Sequence, residues 1–279
     1  MNGRSFFYIL FFQVVRKLAA SPDCEILLDF AVNSSNLGKL LWGPENQPPS
    51  HVLSNKQWCC LTFSSNGEIS EHGSFIFPDF NRKLGEENVP GIRFECNTNA
   101  EPYQVATIDL SGADEIEGNN CGLVGTIPSS FRQLANLTEL NLTKLNFLTE
   151  ILGLPDSLTH LYACQSENGP KLVPLLPSLP NLAKIDLKAA SISGTFPLLP
   201  SRSPQLQEVY LSFNRISGSL PDLSPWAGSL KNLFIDQNNM IGSIKFNAPM
   251  LKLEQLGISG NAFSGPLPGN TPILEEVRN

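Results

Sequence analysis

The chain has 279 residues, 19 Lys plus Arg against 26 Asp plus Glu, and a formal net charge of −7 at pH 7. That sign argues against nucleic acid as a partner, because binding a phosphate backbone needs clustered Lys and Arg. The three histidines, His51, His72 and His160, lie in unrelated contexts with no nucleophile or acid at a motif spacing. With no Gly-rich phosphate loop either, the chain reads as neither an enzyme nor a cofactor carrier.

Residues 1–20 read as a secretory signal peptide. Arg4 precedes an apolar run from Phe6 to Val15, and Leu18-Ala19-Ala20 supplies small residues for cleavage before Ser21. At about 1.5 Å per helical residue the run covers only about half of a bilayer core, too little for a membrane span. Arg16 and Lys17 run against this reading, since they stand where signal peptides are usually uncharged. Removing residues 1–20 takes away three positive charges and no negative ones, leaving −10. The expected location is secreted or extracellular, or the cell surface if the full-length chain continues into a membrane span.

Residues 21–104 form an expected capping region. It carries Cys24-Glu-Ile-Leu-Leu-Asp-Phe, then Trp58-Cys59-Cys60, then Gly91-Ile92-Arg93-Phe94-Glu95-Cys96. All six cysteines lie after the signal, and an even number in an oxidising compartment favours disulfides over thiols. A zinc site is disfavoured, because there is neither a Cys-x-x-Cys pair nor a nearby pair of histidines. Three sequons, at Asn33, Asn136 and Asn141, are candidate glycan acceptors.

From residue 105 the apolar residues become periodic. Val105-Ile108-Leu110 opens the series, and an insertion rich in Asp, Glu, Gly and Asn separates it from Leu123, Gly125 and Ile127-Pro128. Leu137-Leu140-Leu142 and Leu158-Leu161-Ala163 keep the spacing but lack the Asn and Gly that follow in later copies. Four regular copies then begin at Leu182, Leu206, Leu230 and Leu253, at steps of 24, 24 and 23 residues. Each reads Leu-x-x-Leu-x-Leu, with Ile or Val allowed at the later places, and the last three reach Asn214, Asn238 and Asn261. A Gly follows in all four, at Gly194, Gly218, Gly242 and Gly265.

This period and pattern predict an α/β leucine-rich-repeat solenoid over residues 105–279, with seven strands and a truncated eighth at Leu274 to Val277. The expected shape is a right-handed curved superhelix, with a parallel sheet on its concave face and a disulfide-containing N-terminal cap. Alternation in each strand sends Leu and Ile inward, while the Asn amide bonds the backbone of neighbouring turns.

The run Leu123-Val-Gly-Thr-Ile-Pro-Ser-Ser-Phe-x-x-Leu-x-Asn-Leu-Thr-x-Leu resembles the plant-type subfamily of leucine-rich repeats, as does Asn-Arg-Ile-Ser-Gly-Ser-Leu-Pro from Asn214. That subfamily includes the ectodomains of receptor-like kinases and receptor-like proteins, and polygalacturonase-inhibiting proteins. The resemblance covers about residues 105–279, and the cap segments follow the family's order although about thirty residues separate Cys60 from Gly91. It implies extracellular recognition, with protein, peptide or glycan ligands, and leaves room for a co-receptor. An inhibitor of a secreted cell-wall hydrolase and an adhesion or wall-structural protein are the alternatives it allows. Six cysteines permit 15 pairings, of which Cys96 with Cys59 or Cys60 ranks first and Cys24 with the other vicinal cysteine second. Cys121 and Cys164 are then expected to be free and buried.

The alternation also selects the outward residues. Between the last two apolar positions of successive strands stand Asp109, Asn141, Tyr162, Asp186, Tyr210, Phe234 and Gly257, with His160, Lys184, Glu208, Phe213, Asn232, Asp236 and Gln237 on the same strands. At strand spacings of about 4.8 Å, Tyr210, Phe213 and Phe234 are expected to gather as one aromatic cluster edged by Glu208 and Asp236. The candidate ligand-binding residues are therefore Tyr162, Lys184, Asp186, Glu208, Tyr210, Phe213, Phe234 and Asp236. A glycan on Asn141 would obstruct its end of the face and move the ligand toward the later repeats. The series stops at Asn279 without a closing unit, and the open end is expected to reflect a truncated gene model, a fragment of a longer chain, or an end-to-end partner.

Overall fold

The computed structural model describes residues 22–30, 62–63, 69–70, 74–76, 93–97, 104–111, 125–145, 148–164, 176, 178–197, 199, 203–266 and 268. Residues 1–20, Asn33, Cys59, Cys60, Cys121 and the stub from Leu274 to Val277 lie outside the described residues.

One α-helix among the described residues, α1 (Pro22–Asp29), precedes a series of short strands. These are β1 (Thr62–Phe63), β2 (Ile69–Ser70), β3 (Ser74–Ile76), β4 (Arg93–Asn97), β5 (Gln104–Asp109), β6 (Gly125–Ile127), β7 (Glu139–Asn141), β8 (Leu148–Ile151) and β9 (His160–Tyr162). Then come β10 (Lys184–Asp186), β11 (Ser193–Thr195), β12 (Glu208–Tyr210), β13 (Arg215–Gly218), β14 (Asn232–Phe234), β15 (Asn239–Gly242), β16 (Gln255–Gly257) and β17 (Ala262–Phe263).

Nine strands form one sheet in the order β16-β14-β12-β10-β9-β7-β5-β4-β3. Its seven strands from β5 to β16 are parallel, one from each apolar copy. The register places Ile108, Leu140, Leu161, Ile185, Val209, Leu233 and Leu256 side by side, and all of them are buried. Each side chain withdrawn from water in this way contributes about 1.5–3 kcal/mol. The outer Leu and Ile positions of the copies extend the same core on either side of that row. A half-buried, buried, half-buried pattern in β7, β9, β10, β12 and β14 shows one face sealed and the other available.

The return half of each unit is built from small strands and tight turns, so the structure is a β-solenoid with little helix. β11, β13, β15 and β17 form a second parallel sheet, and β6 pairs with β8. Single 3-10 turns at Ser129–Gln133 and Ser224–Trp226 insert Phe131 and Trp226 into the core. Helices are disfavoured there by chemistry: Gly194, Gly218, Gly242 and Gly265 adopt φ values of +80° to +90°, and a proline follows within three residues of all but Gly242.

Buried Asn side chains supply what the turns cannot. Asn214 Oδ1 accepts the N–H groups of Ala190 and Ile192, both at 3.0 Å, while its Nδ2 donates to the carbonyls of Leu187 and Leu211. Asn238 and Asn261 repeat this arrangement one and two units later. Leu145, at the same place in an early unit, is buried as an apolar substitute.

The first parallel strand is closed off from the cap side. β4 pairs antiparallel with β5, and β3 with β4, an addition the repeat pattern did not foresee. Cys24 and Leu27 of α1 and Phe30 just after it enter the core, and the Phe30 ring meets Phe131 edge-on at 5.2 Å. Asp23 Oδ2 accepts the Val105 N–H at 2.8 Å. Burial raises the Asp23 carboxyl above its usual range, against the lowering effect of that bond.

Candidate recognition face

The sheet register turns the outward residues into rows. One row reads Thr107, Glu139, His160, Lys184, Glu208, Asn232 and Gln255; the next reads Asp109, Asn141, Tyr162, Asp186, Tyr210, Phe234 and Gly257. Of the expected ligand-binding residues, Tyr162, Lys184, Asp186, Glu208, Tyr210 and Phe234 share this face.

Their side chains form a continuous ladder across four strands. His160 and Tyr162 stack with ring centres 6.5 Å apart. Lys184 Nζ then sits 5.6 Å from the centre of the Tyr162 ring and 5.3 Å from that of Tyr210. The same ammonium bonds Glu208 Oε2 at 2.8 Å, and the Tyr210 hydroxyl donates to that oxygen at 3.1 Å. Tyr210 finally stacks on Phe234, 5.3 Å between centres and 7° from parallel. A cation held between two rings and fixed by a carboxylate has few rotamers left, so the face is ordered before any ligand arrives.

The ionisation of these groups follows the ladder. Glu208 is held below the usual glutamate range, first by the hydrogen bond from Lys184. Burial alone would pull the Lys184 ammonium down, but the bond to Glu208 and nearby charges outweigh it and hold the ammonium above its usual value. Burial is the main cause of the raised Tyr162 and Tyr210 hydroxyls, with the bond to Glu208 adding to the second. Both tyrosines are neutral and Lys184 is charged at neutral pH.

Asp236 belongs to a neighbouring row. Its Oδ2 accepts from Ser212 Oγ at 3.1 Å, and its Oδ1 accepts from the N–H and hydroxyl of Ser259, both at 3.0 Å. Among the described residues it has no cationic partner. Asp186 Oδ1 caps the Lys188 N–H at 3.0 Å.

Phe213 does not join the aromatic stack. It occupies a left-handed turn, φ +60°, immediately before Asn214, and its N–H donates to the Asp236 carbonyl. The ring is 55% exposed, and Lys188 Nζ lies 5.3 Å over its centre. Tyr210 and Phe234 are half-buried by each other instead of standing free. Gln237, at the equivalent turn one unit on, is also left-handed and exposed.

Two features were not singled out from sequence. Lys188 is one, although its 24-residue offset from Ser212 and 48-residue offset from Asp236 place it in their row. The other is the state of Asn232, which the sequence marked only as outward: its Oδ1 is buried with no hydrogen-bond partner. Only packing reveals an orphan acceptor of this kind, which costs about 1–3 kcal/mol. Among the candidate glycan sites, Asn136 Nδ2 bonds Gln104 Oε1, and Asn141 Oδ1 accepts the Thr143 N–H at 3.0 Å. Cys164 is free and half-buried, its Sγ 3.2 Å from Thr143 Oγ1. Among the described residues no cluster of His, Cys, Asp and Glu could hold a metal ion, and no helix is long and apolar enough to cross a membrane.

The parallel ladder, the asparagine spine and the sheet of short strands define a solenoid of the leucine-rich-repeat fold. Residues 205–225 match the family model described as Leucine Rich Repeat. No curated protein matches the chain in sequence. Among solved structures it is similar to the ectodomain of the plant membrane receptor kinase GASSHO1/SCHENGEN3 from Arabidopsis thaliana, in complex with CASPARIAN STRIP INTEGRITY FACTOR 2. There the identity is 21% and the TM-score 0.45, over 63% of this chain and 23% of that one. The BIR3–SERK2 complex of Arabidopsis thaliana gives 22% identity and a TM-score of 0.38, over 62% of this chain and 76% of that one. The Arabidopsis receptor kinase HAESA, with the peptide hormone IDA and the co-receptor SERK1, gives 20% and 0.32, over 51% and 33%. The chain thus spans less than a quarter of the first of these.

Proposed function

We propose that this chain is a non-enzymatic extracellular recognition module, holding a protein, peptide or glycan ligand on its concave face as a receptor-like ectodomain or soluble receptor-like protein. The ladder from His160 through Tyr162, Lys184 and Tyr210 to Phe234 carries the reading. A parallel sheet needs none of these side chains for its own stability, since its core row lies on the opposite face. Rigid aromatic side chains on an accessible surface are what a binding hot spot requires.

The same reading divides the chain into a signal at residues 1–20, a cap at 21–104 and repeats at 105–279. Support for a disulfide-containing cap comes from Cys24 and Cys96, both of which are disulfide-bonded. Of the two sequons in the repeats, Asn141 is the better acceptor, because the Asn136 amide nitrogen is already committed to Gln104. A glycan on Asn141, between Asp109 and Tyr162 in its row, would shield the early strands and leave β10 to β16 for the ligand.

The test is a pull-down from the fluid that bathes the cells, with the intact chain and with Tyr210→Ala plus Phe234→Ala. A partner retained by the first and lost by the second is expected; identical recovery by both would remove the concave face from consideration. A co-purifying hydrolase whose activity falls on binding would make the chain an inhibitor, and a small peptide would make it a receptor.

A further inference from the structure

We infer that the ligand presents a basic side chain, lysine or arginine, to a cation site formed by Phe234 and Asp236 above Gly257. This rests on the concave-face reading and specifies its chemistry.

The argument starts from an internal template. Lys184 shows what this face does with a cation: the ammonium lies over the Tyr162 and Tyr210 rings and is fixed by Glu208 at 2.8 Å. Lys188 over Phe213 is a second aromatic ring with a cation. At the far end of the ladder the ring and the carboxylate recur, but the cation does not. One side of Phe234 is covered by Tyr210. On the other side stands β16, whose residue in that row is Gly257.

The missing side chain there is a condition of the site. A Cβ on Gly257 would lie 2.6 Å from Phe234 Cδ1 and would collide with Asp236 Oδ2. Ring edge and carboxylate therefore converge on one point above β16, which any other residue would fill. The φ of Gly257 is not in the left-handed region, so its backbone makes no demand for glycine. The glycine lets the Phe234 ring and the Asp236 carboxylate come together over β16.

The carboxylate is also oriented. Three donors from Ser212 and Ser259 fix Asp236 from the strands on either side, taking three of about four lone-pair positions and leaving one for a further donor. Those donors are neutral, so the negative charge stays uncompensated, whereas Glu208 has its ammonium. In the two outward rows of β12, β14 and β16 no Lys or Arg occurs. A cationic group from outside would gain a charge-assisted bond to a carboxylate held beside an aromatic ring, as Lys184 does with Glu208 beside Tyr210.

The experiment screens the full chain against a random heptapeptide array. Each bound peptide is then resynthesised with citrulline for arginine or acetyl-lysine for lysine. Bound peptides are expected to share a basic position whose neutralisation weakens binding by about tenfold, the scale of one charge-assisted bond. That loss should shrink to less than about twofold in Asp236→Asn, which keeps one acceptor oxygen for Ser259 and offers an amide N–H to the Ser212 hydroxyl while removing the charge. Gly257→Val should weaken the basic peptides as well, and Asp236→Asn keeps the test decisive if that variant folds poorly. Peptides bound without a basic residue, no bound peptide, or an equal neutralisation loss in Asp236→Asn and the unaltered chain would each overturn the inference. Peptides held equally by the Tyr210→Ala, Phe234→Ala double variant would instead overturn the concave-face reading itself.

Discussion

Phe213 shows how a single residue can be placed against its own preference. A left-handed φ costs a residue with a Cβ about 1–2 kcal/mol, and the corresponding position is Gly260 in a later unit. Phe213→Gly relieves that strain but adds freedom to the unfolded chain, worth about 0.4–1 kcal/mol in the other direction. The expected stability change is within about 1 kcal/mol by denaturant titration, despite the loss of a phenyl ring. A cost above about 2 kcal/mol would show that the ring holds the fold together. Asn214 is the opposite case, since its amide closes four backbone groups in two successive units. Asn214→Ala should cost at least about 3 kcal/mol by the same measurement, because buried N–H and C=O groups lose their partners without gaining water.

At the level of the strand, the pairing of β10 with β12 carries the electrostatics of the face. Glu208 lies below its ordinary value in the folded chain, so its contribution is complete above 4.5 and is lost as the pH falls through the lower folded value. Acidification should release Lys184 from Glu208 while the buried core row is unaffected. Titration of the Glu208 carboxyl by NMR should therefore show a midpoint below 4.5, returning toward it in Lys184→Met. A midpoint unchanged by that substitution would mean the ion pair does not order the ladder in solution. Element boundaries were legible from the Leu-x-x-Leu-x-Leu spacing, and the row assignment of Tyr162, Asp186, Tyr210 and Phe234 followed from it. The stacking of Tyr210 on Phe234, and the exclusion of Phe213 from that stack, were not: a spacing fixes which face a residue occupies, whereas rotamers and turn conformation decide what it touches.

Across the whole molecule, each unit packs on its neighbours and on little else, so stability is close to a sum of unit and interface terms. Leu233 lies at the centre of the core row in β14 and is buried. Leu233→Ala should cost about 2–5 kcal/mol. Its effect should be local: amide hydrogen exchange should accelerate in β12, β14 and β16, with β5 and α1 protected as before. Uniform acceleration along the chain would show that the solenoid melts as one block. The antiparallel β4 and β3 extend the sheet on the cap side, which covers the edge of β5 that a bare stack would leave open.

The amino-acid sequence by itself determined the solenoid, the seven parallel strands of its main sheet and the inward and outward assignment along each of them. Periods of 23 and 24 residues and strand alternation are local properties that survive without knowledge of contacts. Tertiary structure decided the rest. It built the return side from short strands and tight turns, where Gly at positive φ redirects the chain. It drew Lys184 between two tyrosines, and it turned Gly257 from a missing side chain into the space where Phe234 and Asp236 meet. Each of these depends on atoms brought together across strands, at distances no single repeat encodes.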